Sequence, residues 1–188
     1  PVILNRISFS GELGYEIYTS PQFHLKLFEE IESSGKDLNL KFYGARALMS
    51  LRLEKSWGAW TLDFRPDFTA AESGLDIFIN WNKNFIGKEE SLKEKKQGVK
   101  KKLVTMVIDT KDIDVSNDEA ILKDNKCVGY VTSGGYAHHS KKSVALGYVP
   151  IELSKHETQL DVEINGKLFK AHITDKPLYD ANGRKMKS

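Results

Sequence analysis

The first half of the chain has apolar residues at helical spacing in two segments. Between Phe23 and Ile31 they recur every three or four residues. Ser20-Pro21 before this segment favours a helix start, and Gly35 after it favours a helix end. A second helix is predicted over residues 44–55. Its apolar residues cover nearly the whole circumference, which predicts burial on most sides.

Four further elements are predicted in this half. Residues 5–18 have two apolar arms around Gly11-Glu12-Leu13-Gly14, which predicts a β-hairpin. Residues 57–69 contain glycine, proline and aromatic residues and are expected to form an ordered loop. The apolar run 75–81 predicts a buried strand, and the charged segment 87–96 predicts an exposed helix.

The pattern changes at residues 98–102, where Gly98-Val99 is followed by three consecutive lysines. Beyond this point short apolar runs alternate with turn residues. The predicted strands are 103–108, 120–123, 127–132, 143–149, 159–164 and 168–174. Asp124-Asn125 and Asn165-Gly166 are typical hairpin turns, because these residue types tolerate positive φ. Six short strands predict a small β-barrel or sandwich, so the fold class is α+β, with domains at residues 1–97 and 98–188.

Composition narrows the possible functions. The 28 Lys and Arg nearly balance the 26 Asp and Glu, which argues against a nucleic-acid partner. No apolar run is long enough to span a membrane, so no membrane partner is expected. Cys127 is the single cysteine and cannot form an internal disulfide. The chain enters a strand-like segment at Pro1 without an initiator Met, and we therefore expect a fragment of a longer polypeptide.

Glu16 is a candidate ligand-binding residue. On the strand after the glycine turn it would share a face with Gly14 and Tyr18. One carboxylate can accept two parallel N–H donors, as presented by the edge of a guanidine-like heterocycle. The alternative is a solvent-exposed strand carboxylate, and most Glu residues are exposed.

Two arginines occur in the apolar second helix, and a buried charge requires a partner. Arg46 and Arg52 could bind an anionic ligand, but an internal ion pair, for example with Glu54, is favoured. The aromatic residues of the 57–69 loop could line a cavity for a flat ligand or could be packed beneath the loop. These residues are Trp57, Trp60, Phe64 and Phe68.

Other motifs give little support for catalysis. The small-residue segment 132–136 is interpreted as a loop that could hold an anion, but it lacks the ending of a phosphate-binding loop. His138 and His139 are adjacent, and neighbours on a strand point to opposite faces, so no metal site is expected. No nucleophile-elbow or Cys–His pattern is present.

Several blocks of the chain resemble one known family. Residues 9–16 resemble the signature Tyr-Thr-Gly-Glu-x-Gly-x-Glu, and residues 44–55 resemble Gly-x-Arg-Asp-x-Leu-Arg-x-Glu. Further blocks match in the same order, at residues 72–75, 83–87, 132–134 and 145–150. The chain thus resembles the aminomethyltransferase family, named for the T-protein of the glycine cleavage system. Residues 53–60 and 65–67 resemble the C-terminal region of dimethylglycine and sarcosine dehydrogenases within that family.

The resemblance implies a fold and a folate site. The chain would cover the latter part of an α/β folate-binding domain and then a C-terminal β-barrel. Glu16 would hold the pterin edge and Arg46 would contact folate. Phe9 would be a further folate contact, although it replaces the usual Tyr, and Ala47 replaces a usual acidic residue. The family's catalytic aspartate lies upstream of the matching part, so no catalytic residue is assigned.

The implied function is tetrahydrofolate-dependent one-carbon transfer within a dimethylglycine or sarcosine dehydrogenase-like enzyme. An upstream flavin domain of the same polypeptide would carry FAD, and the 188-residue chain alone would be inactive. Two alternatives stay open. One is a stand-alone aminomethyltransferase or folate-dependent demethylase, and the other is a non-catalytic folate-binding regulatory module. The expected location is the cytoplasm in a bacterium and the mitochondrial matrix in a eukaryote.

Overall fold

The computed structural model of the protein describes all residues, 1–188. It begins with a two-stranded antiparallel sheet in which β1 (Val2–Asn5) pairs with β2 (Glu16–Thr19). The predicted hairpin is present, but its connection is the ten-residue loop 6–15 and not a four-residue turn. Gly11 has a φ of +87°, and a Cβ there would lie 2.4 Å from Cγ of Lys55. The loop therefore packs closely against Lys55 before it returns.

Three helices occur where the sequence predicts them. They are α1 (His24–Gly35), which follows a 3-10 turn at Pro21–Phe23, then α2 (Ala45–Glu54) and α3 (Lys88–Gln97). The predicted burial of α2 is wrong for its first half, because only its last three residues are buried. Other parts of the fold contact α2 near its C-terminal end, through hydrogen bonds with Ser50 and Glu54.

The strand predicted over residues 75–81 is not formed. This segment contains a 3-10 turn, Asp76–Phe78, and the side chains of Ile77 and Phe78 are 77% exposed. Gly74 adopts a left-handed φ of +72°, and the Leu75 N–H donates to the Ala70 carbonyl. The chain therefore turns here and cannot continue as an extended strand.

The second half is a closed six-stranded antiparallel barrel. Its strands are β3 (Lys101–Ile108), β4 (Ala120–Lys123), β5 (Lys126–Ala137), β6 (Lys142–Pro150), β7 (Gln159–Ile164) and β8 (Lys167–Thr174). The order around the barrel is β3-β6-β5-β4-β7-β8, and β3 closes it by pairing with both β6 and β8. The predicted α+β class with a small barrel is confirmed. Asn125 and Asn165 adopt positive φ in the two predicted hairpin turns.

Strand β5 is longer than predicted, and it includes the segment 132–136 that was expected to be a loop. Its pairing with β6 shifts register between Val131 and Ser133, which marks a β-bulge. A Cβ at Gly134 would lie 2.6 Å from the Val115 carbonyl oxygen. The glycine in this strand thus permits a close backbone approach and does not mark a loop.

The main hydrophobic core lies inside the barrel, where Met106, Ile121, Val131 and Val162 are fully buried. The first half of the chain instead exposes many large apolar side chains. They include Val2, Ile3, Leu4, Ile7, Phe23, Leu25, Phe28, Leu38, Phe42 and Tyr43.

The last helix of the chain is the short α4 (Arg184–Lys187). None of the helices is both long enough and apolar enough to cross a bilayer.

Candidate functional site

A cavity of about 730 Å³ lies where the 6–15 loop and β2 meet the segments 56–64 and 73–78. Glu16 and Phe9, two of the three predicted folate-binding residues, both line it. The remaining wall is largely apolar. It includes Ile7, Trp57, Ala59, Trp60, Phe64, Leu75, Ile77 and Phe78. The cavity therefore combines a carboxylate with broad apolar surfaces, as binding sites for small molecules do.

Glu16 is the first residue of β2 and pairs with Asn5 across the sheet. The hydroxyl of Tyr18, two residues along the same face, donates to Oε2 of Glu16 at 2.5 Å. This hydrogen bond raises the pKa of Tyr18. The side chain of Glu16 forms no salt bridge and is exposed. It is therefore free to accept hydrogen bonds from a ligand.

Arg46 lies in the first turn of α2, and it is exposed. It is not one of the residues that line the Glu16 cavity. The structure therefore brings Glu16 and Phe9 together but leaves Arg46 outside this cavity. A contact between Arg46 and folate stays a prediction.

Some aromatic residues of the 57–69 loop line a cavity, and another packs beneath the loop. Trp60 is 77% exposed and packs edge-to-face on Phe64, with ring centroids 5.6 Å apart. Both line the Glu16 cavity and an adjoining cavity of about 720 Å³. Phe68 instead stacks on Tyr148 with centroids 3.4 Å apart. The first pair thus forms a wall of the site, whereas Phe68 supports the loop from beneath.

Ser56 is a cavity residue that the sequence did not reveal. It follows the end of α2 with a positive φ of 58°, and its hydroxyl is buried without a hydrogen-bond partner. An unpaired buried hydroxyl is energetically unfavourable. Ser56 lies in the block 53–60 that resembles the dehydrogenases, but nothing in that block distinguishes it, and only its position directly after a helix indicates the unusual backbone.

Asp63 and Arg52 form a buried ion pair beneath the site, with Arg52 1% and Asp63 0% exposed. Nη1 of Arg52 lies 2.8 Å from Oδ2 of Asp63. The Ala59 N–H also donates to Oδ2, at 2.8 Å. The hydroxyls of Thr132 and Ser133 donate to the carboxylate at 2.5 and 2.8 Å. Burial lowers the pKa of Arg52, and the charge of Asp63 partly offsets this effect.

The predicted internal ion pair is therefore confirmed for Arg52, but its partner is Asp63 and not Glu54. Arg52 and Glu54 are two residues apart on α2, so they point in different directions. Glu54 accepts hydrogen bonds from the N–H groups of His139 and Ser140 at 2.8 and 2.9 Å. It thereby fixes the end of α2 to the β5–β6 hairpin.

The C-terminal segment holds the loop that carries Phe9. The hydroxyl of Tyr179 donates to Oε1 of Glu12, which together with burial raises the pKa of Tyr179 to about 12. Nζ of Lys55 donates to the Asp180 carbonyl at 2.8 Å. Contacts between distant parts of the chain therefore set the position of the cavity wall.

The adjacent histidines have separate surroundings. The ring of His138 packs against Tyr136, and the ring of His139 packs against Tyr179, with centroids 5.0 and 4.5 Å apart. No group of three or more His, Cys, Asp or Glu side chains is arranged to hold a metal ion.

Two family models match the chain. Residues 1–83 match the GCVT N-terminal domain, and residues 101–180 match the glycine cleavage T-protein C-terminal barrel domain. Together they cover the Glu16 cavity and the barrel.

Similar proteins include the mitochondrial dimethylglycine dehydrogenase of Mus musculus, 39% identical over 95% of this chain and 21% of its own length. The aminomethyltransferase of Caldanaerobacter subterraneus is 35% identical over 97% of this chain and 49% of its own. The crystal structure of aminomethyltransferase T from Bartonella henselae has a TM-score of 0.88 at 24% identity and shares the fold. The match covers 96% of this chain and 50% of the Bartonella henselae chain. The chain thus spans about half the length of these aminomethyltransferases and about a fifth of the dehydrogenase.

Proposed function

The chain belongs to the aminomethyltransferase (glycine cleavage T-protein) family, and we propose that it binds tetrahydrofolate for one-carbon transfer. In this proposal it is the folate-binding portion of a dimethylglycine or sarcosine dehydrogenase-like enzyme. The observation that carries the proposal is the position of Glu16 in an aromatic-lined cavity. The 39% identity to dimethylglycine dehydrogenase supports the dehydrogenase assignment.

The side chains of the cavity suit a reduced pterin. Glu16 would accept a ring N–H and the neighbouring exocyclic amine, since one carboxylate can accept two parallel donors. Trp60 and Phe64 would pack on the flat ring system. Bound tetrahydrofolate supplies the nitrogen nucleophile that takes up the one-carbon unit. The contribution of this chain is to position that nucleophile and to exclude water from it.

The test is a calorimetric folate titration of the full-length protein and its Glu16→Gln variant. Gln keeps the size but replaces an acceptor oxygen with a donor, so one hydrogen bond becomes a repulsive contact. A hydrogen bond to a charged group contributes about 1.5–3 kcal/mol, so affinity should fall by roughly 10- to 150-fold. Glu163→Gln is the matched control, because Glu163 is an exposed strand residue of the barrel. Equal affinity of the Glu16 variant and the wild type would show that Glu16 does not bind folate.

We also propose that an upstream region of the same polypeptide covers the exposed apolar residues near the start of the chain. The family members matched here are at least about twice as long as this chain. Leu38 and Phe42 are 81% and 68% exposed, which is unfavourable for large apolar side chains facing water. In the full-length protein Leu38→Asp should therefore lower the melting temperature. Leu168→Asp, on an exposed strand position of the barrel, should have much less effect, and equal effects would contradict the proposed covering.

The domain division at residues 97 and 98 and the role of the upstream region are parts of the same proposal. That region would carry FAD and oxidise an N-methyl group, so residues 1–188 alone would be inactive. Oxidation of dimethylglycine or sarcosine by the isolated chain, above a no-protein control, would contradict this. Location in the mitochondrial matrix or the bacterial cytoplasm is proposed according to the source.

A stand-alone aminomethyltransferase is the second candidate, because such enzymes are 35% identical to nearly the whole chain. The absorption spectrum of the purified full-length protein separates the two. A bound flavin supports the dehydrogenase assignment, and a colourless, folate-binding protein supports the aminomethyltransferase or a demethylase. A regulatory module would bind folate and turn over neither class of substrate.

A further inference from the structure

The loop 6–15 carries Phe9 into the Glu16 cavity but has little hydrogen-bonded support of its own. None of the backbone–backbone hydrogen bonds of turns and loops involves its residues. Its internal hydrogen bonds run from the N–H groups of Gly11 and Glu12 to nearby serine hydroxyls. A segment with so few hydrogen bonds opens readily unless other parts of the chain hold it.

Every hydrogen bond from this loop to another part of the chain ends on residues 179–188, which we call the C-terminal clasp. The hydroxyl of Tyr179 donates to the carboxylate of Glu12. The guanidinium of Arg6 donates to two carbonyls near the end of the clasp, each at 3.2 Å. The clasp is therefore the hydrogen-bonded support of the loop.

The clasp is itself fixed to the end of α2. The Tyr179 N–H donates to the Glu54 carbonyl at 3.1 Å, and Nζ of Lys55 donates to the Asp180 carbonyl at 2.8 Å. Lys55 is buried, and Gly11 of the loop packs against its aliphatic stem. The end of α2 thus sets the position of the clasp, and the clasp sets the position of the loop.

We propose that Tyr179 is a positioning residue of the folate site, which holds the loop through Glu12 so that Phe9 lines the cavity. This inference rests on the proposed function. Neither Tyr179 nor Glu12 lines the cavity, so both act through the loop. If the loop is released, folate binding must also order it, and the entropy lost in ordering lowers the affinity. Closure of the clasp and folate binding therefore favour each other reciprocally.

The first test is a calorimetric folate titration of the full-length protein. Tyr179→Phe removes only the hydroxyl, and affinity should fall about ten-fold because the lost hydrogen bond ends on a carboxylate. Tyr136→Phe is the matched control, since both tyrosine rings pack edge-to-face on a histidine but Tyr136 lies in the barrel, outside the cavity. The control should keep the wild-type affinity. Equal affinity of Tyr179→Phe and the wild type would overturn the proposal.

Variants of Glu12 separate positioning from a general loss of structure. Glu12→Gln keeps an acceptor oxygen for the Tyr179 hydroxyl and should bind folate nearly as tightly as the wild type. Glu12→Leu has no acceptor and should lose as much affinity as Tyr179→Phe. The double variant Glu12→Leu/Tyr179→Phe should bind no more weakly than either single variant, because both remove the same contact. Additive losses would overturn the proposal, since the two side chains would then act separately.

Tryptic cleavage after Arg6, followed by mass spectrometry, tests the clasp in the ligand-free full-length protein. Tyr179→Phe should be cleaved there faster than the wild type, because cleavage requires an open loop, and Tyr136→Phe should not. Saturating folate should slow the cleavage of the wild type. An unchanged cleavage rate in Tyr179→Phe would overturn the proposal. A wild type that binds no folate would instead refute the proposed function, and the cleavage rates would still decide whether the clasp holds the loop.

Discussion

Arg52 and Asp63 form an ion pair that is closed to solvent and connects three parts of the fold. Arg52 lies near the end of α2 and also donates to the Trp57 carbonyl at 3.0 Å. Asp63 lies in the loop that carries the aromatic wall and accepts hydrogen bonds from Thr132 and Ser133 of β5. The pair therefore fixes the wall of the proposed folate site to the barrel.

Asp63→Ala should strongly destabilise the protein. It would leave the guanidinium of Arg52 buried without a counter-charge, which costs about 3–5 kcal/mol in comparable cases. The free energy of unfolding from urea titration measures this loss. Glu30→Ala is the control, because Glu30 belongs to an exposed ion pair with Lys26 and its loss should change the midpoint little. Similar midpoints for the two variants would contradict a structural role of the buried pair.

Tyr148 predicts how stability changes in alkaline solution. Burial raises its pKa from the ordinary value of 10.0 to about 12, against an opposing effect of the hydrogen bond with Ser73. Between these two pH values the unfolded chain loses the phenolic proton and the folded chain keeps it. The free energy of unfolding should therefore fall as pH rises from 10 to 12.

The Tyr148→Phe variant checks this prediction by urea unfolding at several pH values. At neutral pH it should lose about 1 kcal/mol, because the Asp63 carbonyl loses its hydrogen bond from the hydroxyl. In alkaline solution the difference from the wild type should become smaller. Tyr179 also has a pKa of about 12, so some dependence should remain until Tyr179→Phe is added. An unchanged alkaline slope in the double variant would refute the assignment.

Trp60→Ala should weaken folate binding without changing stability. Trp60 is 77% exposed, so its removal opens no buried space, but it forms an outer wall of the cavity. An aromatic contact contributes about 1 kcal/mol beyond burial, so affinity should fall about five-fold. Calorimetric titration of the full-length protein measures the change. Ile86→Ala is the control, because Ile86 is fully exposed and lies outside the cavity, and this variant should bind folate normally. A melting temperature that falls only for Trp60→Ala would show that Trp60 is structural.

Local patterns in the sequence predicted most of the regular structure. The periodicity around Leu27 and the start at Ser20-Pro21 predicted α1, and Asn165-Gly166 predicted the last hairpin. These signals act over a few residues and depend little on distant contacts. The error at residues 75–81 arose because an apolar run fits a buried strand and a cavity wall equally well.

The residues of the candidate site were harder to predict from the sequence than the helices and strands. Glu16 and Phe9 were identified by resemblance to a family, because the spacing of Glu16 alone also fits a solvent-exposed carboxylate. Asp63 could not be paired with Arg52 from the sequence, since the two hydroxyls that donate to its carboxylate lie 69 and 70 residues further along the chain. The unpaired hydroxyl of Ser56 depends on a single backbone angle that no motif records.

Barrel closure has a consequence for the order of events during synthesis. Strand β3 pairs with β8, so the barrel cannot close until residue 174 has left the ribosome. Asp63 emerges long before the hydroxyls of Thr132 and Ser133 that hold its carboxylate. Arg6 donates hydrogen bonds to the carbonyls of Met186 and Ser188, which are made 180 and 182 residues after it. The first half therefore cannot reach its final packing around Asp63 until the second half has been made, and a chain in such an incomplete state is prone to aggregate.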